Sequence, residues 1–142
     1  MVTLGNPVEI EAVVSRMKEF LGLEKVRLSK VNQTVKTVAI CAGSGLLFIF
    51  TTHTHTPKKK KKKKKGGSLL NGVNADLYLT GEMGHHEVLA ANARGCSVLL
   101  CEHSNTERGY LSQVLKKKLE DLLGPDVQVC CSQKDKDPLL IV

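Results

Sequence analysis

Two side chains in the segment "EHSNTERG" have the types and spacing of metal ligands. His103 follows a predicted strand, and Glu107 lies four residues later, in the first turn of a predicted helix. An imidazole and a carboxylate at this spacing can converge on one cation, and this donor pair suits zinc, manganese or iron. The same segment also has the pattern of a capping box, in which Ser104 and Glu107 would bond the free backbone N–H groups of the helix start. Spacing alone leaves both interpretations open.

A second polar segment, "TGEMGHH", precedes another predicted helix and contains Glu82, His85 and His86. A carboxylate and an imidazole in this position could act as a general base or as metal ligands. The alternative is a polar turn in which the charge of Glu82 is favourable near a helix amino terminus. Because both polar segments follow neighbouring predicted strands, we expect them to face one crevice, and this raises the case for a functional site.

A third loop, "AGSG" at 42–45, also follows a predicted strand. Backbone N–H groups in such a glycine-rich turn can form an anion-binding nest. The segment lacks the Lys-Ser/Thr of a P-loop and the third glycine of a dinucleotide-binding fingerprint. We therefore favour a tight turn between a strand and a helix.

The elements that must position these loops are predicted from the spacing of apolar and helix-ending residues. Asn6 and Pro7 are typical of a helix start, and Gly22 is typical of a helix end. Further helices are predicted at 68–73, 85–95 and 104–124, and strands at 25–31, 35–42, 75–81, 96–103, 127–133 and 138–142. This alternation predicts an α/β fold with a mainly parallel sheet and helices on both faces.

Several of these elements are apolar enough to predict their place in the core. The strand at 35–42 is expected inside the sheet with both faces covered. Two helices carry an apolar stripe expected to face the core: Ile10, Val13, Val14, Met17 and Leu21 in the first, and Leu111, Val114, Leu115, Leu119 and Leu122 in the last. Most of the five cysteines lie in apolar runs, which predicts buried free thiols in a reducing compartment.

Composition and charge argue against several classes of partner. The eight lysines at 58–65 account for the whole net charge of +7, since the remaining 13 Lys and Arg face 14 Asp and Glu, a net charge of −1. With three Phe, two Tyr and no Trp, a stacking platform for nucleic acid is not expected. The amino terminus lacks the features of a secretory signal, and the longest apolar run, "LLFIF", is too short to span a bilayer. We expect a soluble cytoplasmic protein, with the nucleus as the second candidate location and no membrane partner.

Three segments, "ADLYLTGEMGHH", "VLLCEHSNTERGYL" and "KDKDPLLIV", together resemble the carboxyl-terminal part of the NIF-three-like family, also labelled GTP cyclohydrolase 1 type 2 homologues. The resemblance covers about residues 1–45 and 67–142. It rests chiefly on TGE-x-x-HH followed by H-x-x-x-E-R-G. It implies a partial α/β domain, a dinuclear divalent metal site in a cleft, and assembly of the intact protein into homo-oligomers.

Carried over by position, the resemblance implies that His103 and Glu107 are metal ligands. It implies that Glu82 and His86 line the same cleft as candidate catalytic residues. The family's other ligands, a histidine pair and an aspartate, have no counterpart in this sequence. A closed divalent site needs at least four donors, so the expectation is a fragment of a metal-dependent hydrolase that is inactive alone. The alternative is a non-enzymatic protein that binds a transcription-related partner, since animal members of the family are linked to transcriptional corepression.

The segment 46–66 interrupts the join between the two resembling parts, which we take as 1–45 and 67–142 of one domain. Its alternating Thr and His and its lysine run are what ACACAC and poly-A tracts encode, so we interpret it as translated simple-sequence DNA. Repulsion between the lysines predicts a low-complexity, disordered insertion. The functional alternatives are a metal clip from His53 and His55, a nuclear localisation signal, or a nucleic-acid arm at 58–65.

Overall fold

The computed structural model of the chain describes residues 1–44, 70 and 73–135. The insertion at 46–66 and the strand at 138–142 lie outside the described residues, and so does most of the helix at 68–73. In chain order the elements are β1 (Val2–Glu9), α1 (Ile10–Leu21), β2 (Arg27–Ser29), β3 (Thr34–Cys41), β4 (Leu77–Thr80), α2 (His85–Ala93) and β5 (Ser97–Leu100). A helical run follows: a 3₁₀ turn (Ser104–Thr106), α3 (Arg108–Tyr110), a π turn (Leu111–Leu115) and α4 (Lys116–Leu123).

The five strands form one sheet in the order β1-β3-β4-β5-β2. The central pairs, β3 with β4 and β4 with β5, are parallel, whereas β1 and β2 close the two edges as antiparallel strands. Every residue of β4 and β5 is buried, as expected for strands covered on both faces. The predicted α/β fold with a mainly parallel sheet is therefore confirmed, with antiparallel strands at both edges.

The two faces of the sheet carry separate hydrophobic clusters. Alternation along β4 sends Leu77 and Leu79 to one cluster and Tyr78 to the other. The stripe of α1 packs in the first cluster, as predicted, and Ala91 of α2 is buried in the second. Helices therefore cover both faces. On β3 the coverage is incomplete, because Ile40 is 54% exposed near the strand end.

The predicted helix start at Asn6 and Pro7 is wrong, because both residues lie within the edge strand β1. The pairing of β1 with β3 shifts register between Thr3 and Val8, so this dipeptide occupies an irregular part of the ladder. An edge strand with a bulge tolerates a proline, whose missing N–H then removes no ladder hydrogen bond. The helix begins at Ile10, and it ends as predicted at Gly22, whose φ of 67° is left-handed.

The last helical run does not bury its apolar stripe as predicted. Leu111 is 47% exposed and Leu122 is 79% exposed. Leu115 and Leu119 are partly buried, but they line a groove with Val129 and pack away from the sheet. Periodicity identifies an apolar face of a helix, but it does not identify the surface against which that face packs. The π turn also offsets the stripe from a regular helical spacing.

The predicted strand at 127–133 is also wrong, because this segment is irregular and lies beside the helical run. An ion pair of 3.0 Å between Nε of Arg108 and Oδ2 of Asp135 links the two. Cys130 is exposed here, contrary to the expected burial, whereas Cys101 is buried as predicted and Cys41 is partly buried. Among the described residues, no helix has the length and apolar character needed to cross a membrane.

Candidate functional site

Three loops meet at the carboxyl edge of the sheet because the central parallel strands end in register. Cys41 of β3 is opposite Thr80 of β4, which is opposite Leu100 of β5. The carbonyl oxygen of Gly43, in the first loop, accepts hydrogen bonds from the Thr80 hydroxyl (3.2 Å) and from the backbone N–H of Glu82 (2.9 Å) in the second. The first two loops are therefore tied together at one carbonyl group.

The second and third loops approach so closely that Gly81 has no room for a side chain. A Cβ atom on Gly81 would lie 2.6 Å from the carbonyl oxygen of Gly43 and 2.9 Å from that of Glu102. Glu102 itself has a left-handed φ of 65°, which is uncommon for a residue other than glycine, and its side chain pairs with Arg27 at 2.9 Å. This turn carries the chain from β5 to His103.

Thr106 fixes the third loop against the first. Its hydroxyl donates to the carbonyl oxygen of His103 (2.8 Å) and accepts from the backbone N–H of Gly43 (2.8 Å). Because this N–H is used inside the protein, it cannot help to form an anion-binding nest at 42–45. The tight-turn interpretation of the loop stays a prediction, because Gly45 and most of the predicted helix lie outside the described residues.

The capping-box interpretation of Ser104 and Glu107 is wrong, because the 3₁₀ turn at this position has no side-chain capping hydrogen bond. A contact of that kind occurs instead at α2, where the N–H of Gly84 donates to Oε2 of Glu87 at 3.1 Å. Gly84 has no side chain to return the bond, so only half of a capping box is present. The carboxylate of Glu107 is thus left to face the cleft.

The ring of His103 lies between two carboxylates from different loops. Its Nδ1 atom is 2.7 Å from Oε1 of Glu82, and its Nε2 atom is 3.5 Å from Oε2 of Glu107. All three side chains are between 44% and 49% exposed, so the cleft is open to solvent. The expected proximity of Glu82, His103 and Glu107 is present, and their roles as ligands or catalytic groups stay predictions.

His86, the fourth predicted cleft residue, is not brought into this group. It is exposed in the first turn of α2, and its ring lies edge-on to that of His85, with 5.8 Å between the ring centroids. Within the part of the chain that the structure describes, no hydrogen bond or ion pair joins His86 to His103 or to either carboxylate. Its place in the site stays a prediction.

Gly43 provides the space beside the two predicted ligands, and sequence reasoning missed this role. A Cβ atom on Gly43 would lie 2.3 Å from Oε1 of Glu107 and 3.0 Å from Nε2 of His103. The residue also has a left-handed φ of 65°, which suits glycine. The only signal in the sequence was a glycine directly after a strand. Thr80 and Thr106 gave no signal, since threonine is common in both strands and turns.

The geometry of His103 and Glu107 fits a shared divalent ion. Two donors bonded at about 2.1 Å to a tetrahedral ion lie about 3.4 Å apart, close to the 3.5 Å between Nε2 and Oε2. Because Gly43 has no side chain, no Cβ atom crowds the Glu107 carboxylate or Nε2 of His103. Across residues 1–44, 70 and 73–135, no three His, Cys, Asp or Glu side chains form a group able to hold a metal ion. A role of His103 and Glu107 as metal ligands stays a prediction.

Cys101 lies directly before this cleft and is a poor candidate for an additional ligand. Only 1% of the residue is exposed, and burial, followed by the charge of Glu102, raises the pKa of its thiol. A metal binds the thiolate, and this thiol stays protonated at neutral pH.

A sheet of this kind, with a histidine between two carboxylates at its carboxyl edge, defines an α/β protein with a polar cleft. The sequence model of the family described as Duf34/NIF3 (NGG1p interacting factor 3) matches residues 65–138. NIF3-like protein 1 of Bos taurus is 41% identical over 147 residues, covering 100% of this chain and 33% of that protein. NGG1-interacting factor 3 of Saccharomyces cerevisiae is 35% identical, covering 99% of the chain and 43% of that protein. The chain belongs to the Duf34/NIF3 family.

Solved structures of similar proteins agree with the fold. A Staphylococcus aureus hypothetical protein, SA1388, superimposes with a TM-score of 0.66 at 22% identity, covering 99% of this chain and 41% of that one. A Bacillus cereus protein related to NIF3 gives a TM-score of 0.63 at 23% identity, with coverage of 99% and 34%. The chain spans about a third of the length of the animal relatives that it matches.

Proposed function

We propose that this chain supplies His103 and Glu107 to a divalent metal site of a metal-dependent hydrolase, and that the chain alone carries part of that site. The observation that supports the proposal most directly is the 3.5 Å separation of Nε2 and Oε2, beside a glycine, Gly43, whose missing side chain leaves the Glu107 carboxylate and Nε2 uncrowded. Zinc, manganese and iron all accept one imidazole and one carboxylate. Membership of the Duf34/NIF3 family is consistent with this assignment.

The residues of the cleft have separate tasks in this proposal. His103 and Glu107 would hold the ion, and the half-exposed cleft gives water and a substrate access to it. When bound, a divalent ion supplies an activated water and polarises a carbonyl or phosphoryl oxygen. Thr106 lies between the two donor residues, and its bonds to the His103 carbonyl and to the N–H of Gly43 hold their loop against the first loop.

Isothermal titration of the 142-residue chain with zinc or manganese tests the proposal. With two donors from the chain, water fills the other positions, so we expect a Kd no tighter than about micromolar at neutral pH. Replacing His103 by alanine should abolish this binding. His85→Ala is the matched control, because it removes a neighbouring exposed imidazole that has no contact with either carboxylate.

Two results would contradict the proposal. Binding unchanged by His103→Ala would place the ion elsewhere, for example at the cysteines or at His53 and His55. Nanomolar binding lost in that variant would mean that the ligand set is complete within these 142 residues. In the longer protein, added donors should tighten binding by orders of magnitude, because they replace bound water.

A second candidate function is binding of a transcription-related protein partner. The name of the yeast relative states that it interacts with NGG1. The helical run of this chain exposes Tyr110, Leu111, Leu122 and Leu123, which could contribute to such a contact. Leu122→Glu, which leaves the cleft unchanged, should then weaken binding of an NGG1-type partner, whereas His103→Ala should not.

We propose that the protein is located in the cytoplasm or nucleus. We also propose that the intact protein is a homo-oligomer without a specific nucleic-acid partner.

A further inference from the structure

The two nitrogen atoms of His103 have different surroundings. Nδ1 is 2.7 Å from Oε1 of Glu82, within hydrogen-bonding distance, whereas Nε2 faces Glu107 at 3.5 Å and the open side of Gly43. The position of Glu82 is itself fixed, because its backbone N–H donates to the carbonyl oxygen of Gly43 at 2.9 Å. A carboxylate oxygen is thus within hydrogen-bonding distance of Nδ1, whereas the oxygen that faces Nε2 is farther away.

Chemistry decides where the ring proton must lie. An ionised carboxylate only accepts hydrogen bonds. At 2.7 Å, an unprotonated Nδ1 would place its lone pair against a carboxylate oxygen, which is repulsive. The proton therefore belongs on Nδ1. A neutral imidazole carries one N–H, so Nε2 is left with the lone pair that can bind a metal.

We propose that Glu82 is a positioning residue, which accepts a hydrogen bond from Nδ1–H of His103 and so presents the lone pair of Nε2 beside Glu107. The part of this proposal that concerns metal affinity rests on the function proposed above, whereas the ring tautomer does not. The two nitrogen lone pairs of an imidazole point away from each other. One ion on Nε2 therefore cannot also bind the Glu82 oxygen that contacts Nδ1. Glu82 therefore orients the ligand His103 and does not itself bind the ion.

A carboxylate on the distal nitrogen of a ligating histidine fixes the ring orientation and strengthens the histidine as a donor. Loss of such a partner usually costs 10–100-fold in metal affinity. Glu82 reaches His103 from the loop before α2, so it aligns the ring from a loop that carries neither predicted ligand. Sequence spacing does not reveal this role, since a glutamate before a helix also suits the helix amino terminus.

The first experiment reads the tautomer directly in the metal-free chain. ¹⁵N chemical shifts of His103 at about pH 8, where an ordinary imidazole is neutral, should show the proton on Nδ1. Glu82→Ala should give a mixture of tautomers, because the acceptor is lost. Glu82→Gln should keep most of the Nδ1–H form, since its amide oxygen can still accept. A wild-type ring protonated on Nε2, or a tautomer unchanged in Glu82→Ala, would overturn the proposal.

The second experiment measures zinc affinity of the same variants by calorimetry. Glu82→Ala should weaken binding about 10–100-fold, and Glu82→Gln should recover most of the loss. Glu87→Ala is the matched control: it removes the same charge from a nearby carboxylate that bonds the N–H of Gly84, whereas the ion pairs of His103 are with Glu82 and Glu107. An equal loss in Glu87→Ala would show that general charge, and not the contact with His103, is responsible, and would overturn the proposal. Failure of the wild-type chain to bind zinc would refute the proposed function alone, because the tautomer still tests the role of Glu82.

Discussion

Gly43 and Glu107 approach so closely that a single added carbon would collide with the carboxylate. The Cβ atom of an alanine at this position would lie 2.3 Å from Oε1 of Glu107. These residues lie on different loops, and Thr106 holds the two loops together through its bond to the N–H of Gly43. The glycine therefore shapes the space beside the predicted ligands.

The first prediction is that Gly43→Ala displaces Glu107 and lowers metal affinity at least tenfold. It should also cost about 1–2 kcal/mol of stability, because alanine is strained at a φ of 65°. Gly22→Ala is a matched control, since Gly22 has a φ of 67° and no atom within 4 Å of an added Cβ. It should show a similar loss in thermal unfolding and unchanged zinc titration. Equal metal affinity in both variants would contradict the prediction.

The hydrogen-bonded carboxylate of Asp76 should make the stability of the chain depend on pH. Burial by itself would raise the pKa of Asp76, but hydrogen bonds from the backbone N–H groups of Thr37 and Lys36 and from the Thr37 hydroxyl outweigh it, so the pKa is lowered. The stabilisation is therefore complete above the unfolded pKa of about 3.9 and is lost as the pH falls through the folded value. Asp76→Ala should cost about 2 kcal/mol at neutral pH.

Denaturant unfolding at several pH values measures this effect. The difference in unfolding free energy between the wild type and Asp76→Ala should shrink steadily below about pH 4, where the wild-type carboxylate takes up its proton. Asp126→Ala is a control, because that side chain is exposed in the turn after α4. A difference that is constant between neutral and acidic pH would contradict the role given to the ionised carboxylate.

The hydroxyl group of Ser97 makes a second stabilising contact, far from the cleft. Its buried hydroxyl oxygen accepts hydrogen bonds from the backbone N–H groups of Val31 (3.0 Å) and Asn32 (2.9 Å). Ser97→Ala removes the acceptor of both groups and should lower the unfolding free energy by about 1–3 kcal/mol. The exposed Ser132→Ala should change it by less than about 0.5 kcal/mol. Equal midpoints for the two variants in urea would show that water replaces the lost acceptor.

The cysteines should differ in their reactivity. Burial raises the pKa of Cys96 to about 11 and also raises that of Cys101, so both thiols stay protonated and enclosed. Iodoacetamide at neutral pH should modify the exposed Cys130 in the native chain and leave Cys96 and Cys101 intact. Mass spectrometry of digests measures the sites, and denaturation should expose all five thiols. Native labelling of Cys96 at the rate of Cys130 would contradict this order.

The sequence by itself determined the elements whose patterns are local. Continuous apolar runs identified the central strands, and the apolar stripe of α1 identified the face of that helix that is buried. His103 and Glu107 were recognisable because their four-residue spacing lies within one turn and one segment. Local patterns gave the wrong result where tertiary packing decided: Asn6 and Pro7 lie in an edge strand, and part of the apolar stripe of the last helical run is exposed.

The sequence predicted that the segments of Glu82 and His103 face one crevice, but only the tertiary structure decided which atoms meet there and brought Gly43 beside them. Glu82 and Gly43 reach His103 because β3, β4 and β5 end in register, which brings loops that are distant in sequence to one edge. The Gly43–Thr106 bond, for example, joins residues 63 positions apart. Hydrophobic periodicity records which face of an element is buried, but it carries no information about the loop that will lie against another loop. That choice depends on strand order and register, and these follow from packing of the whole core.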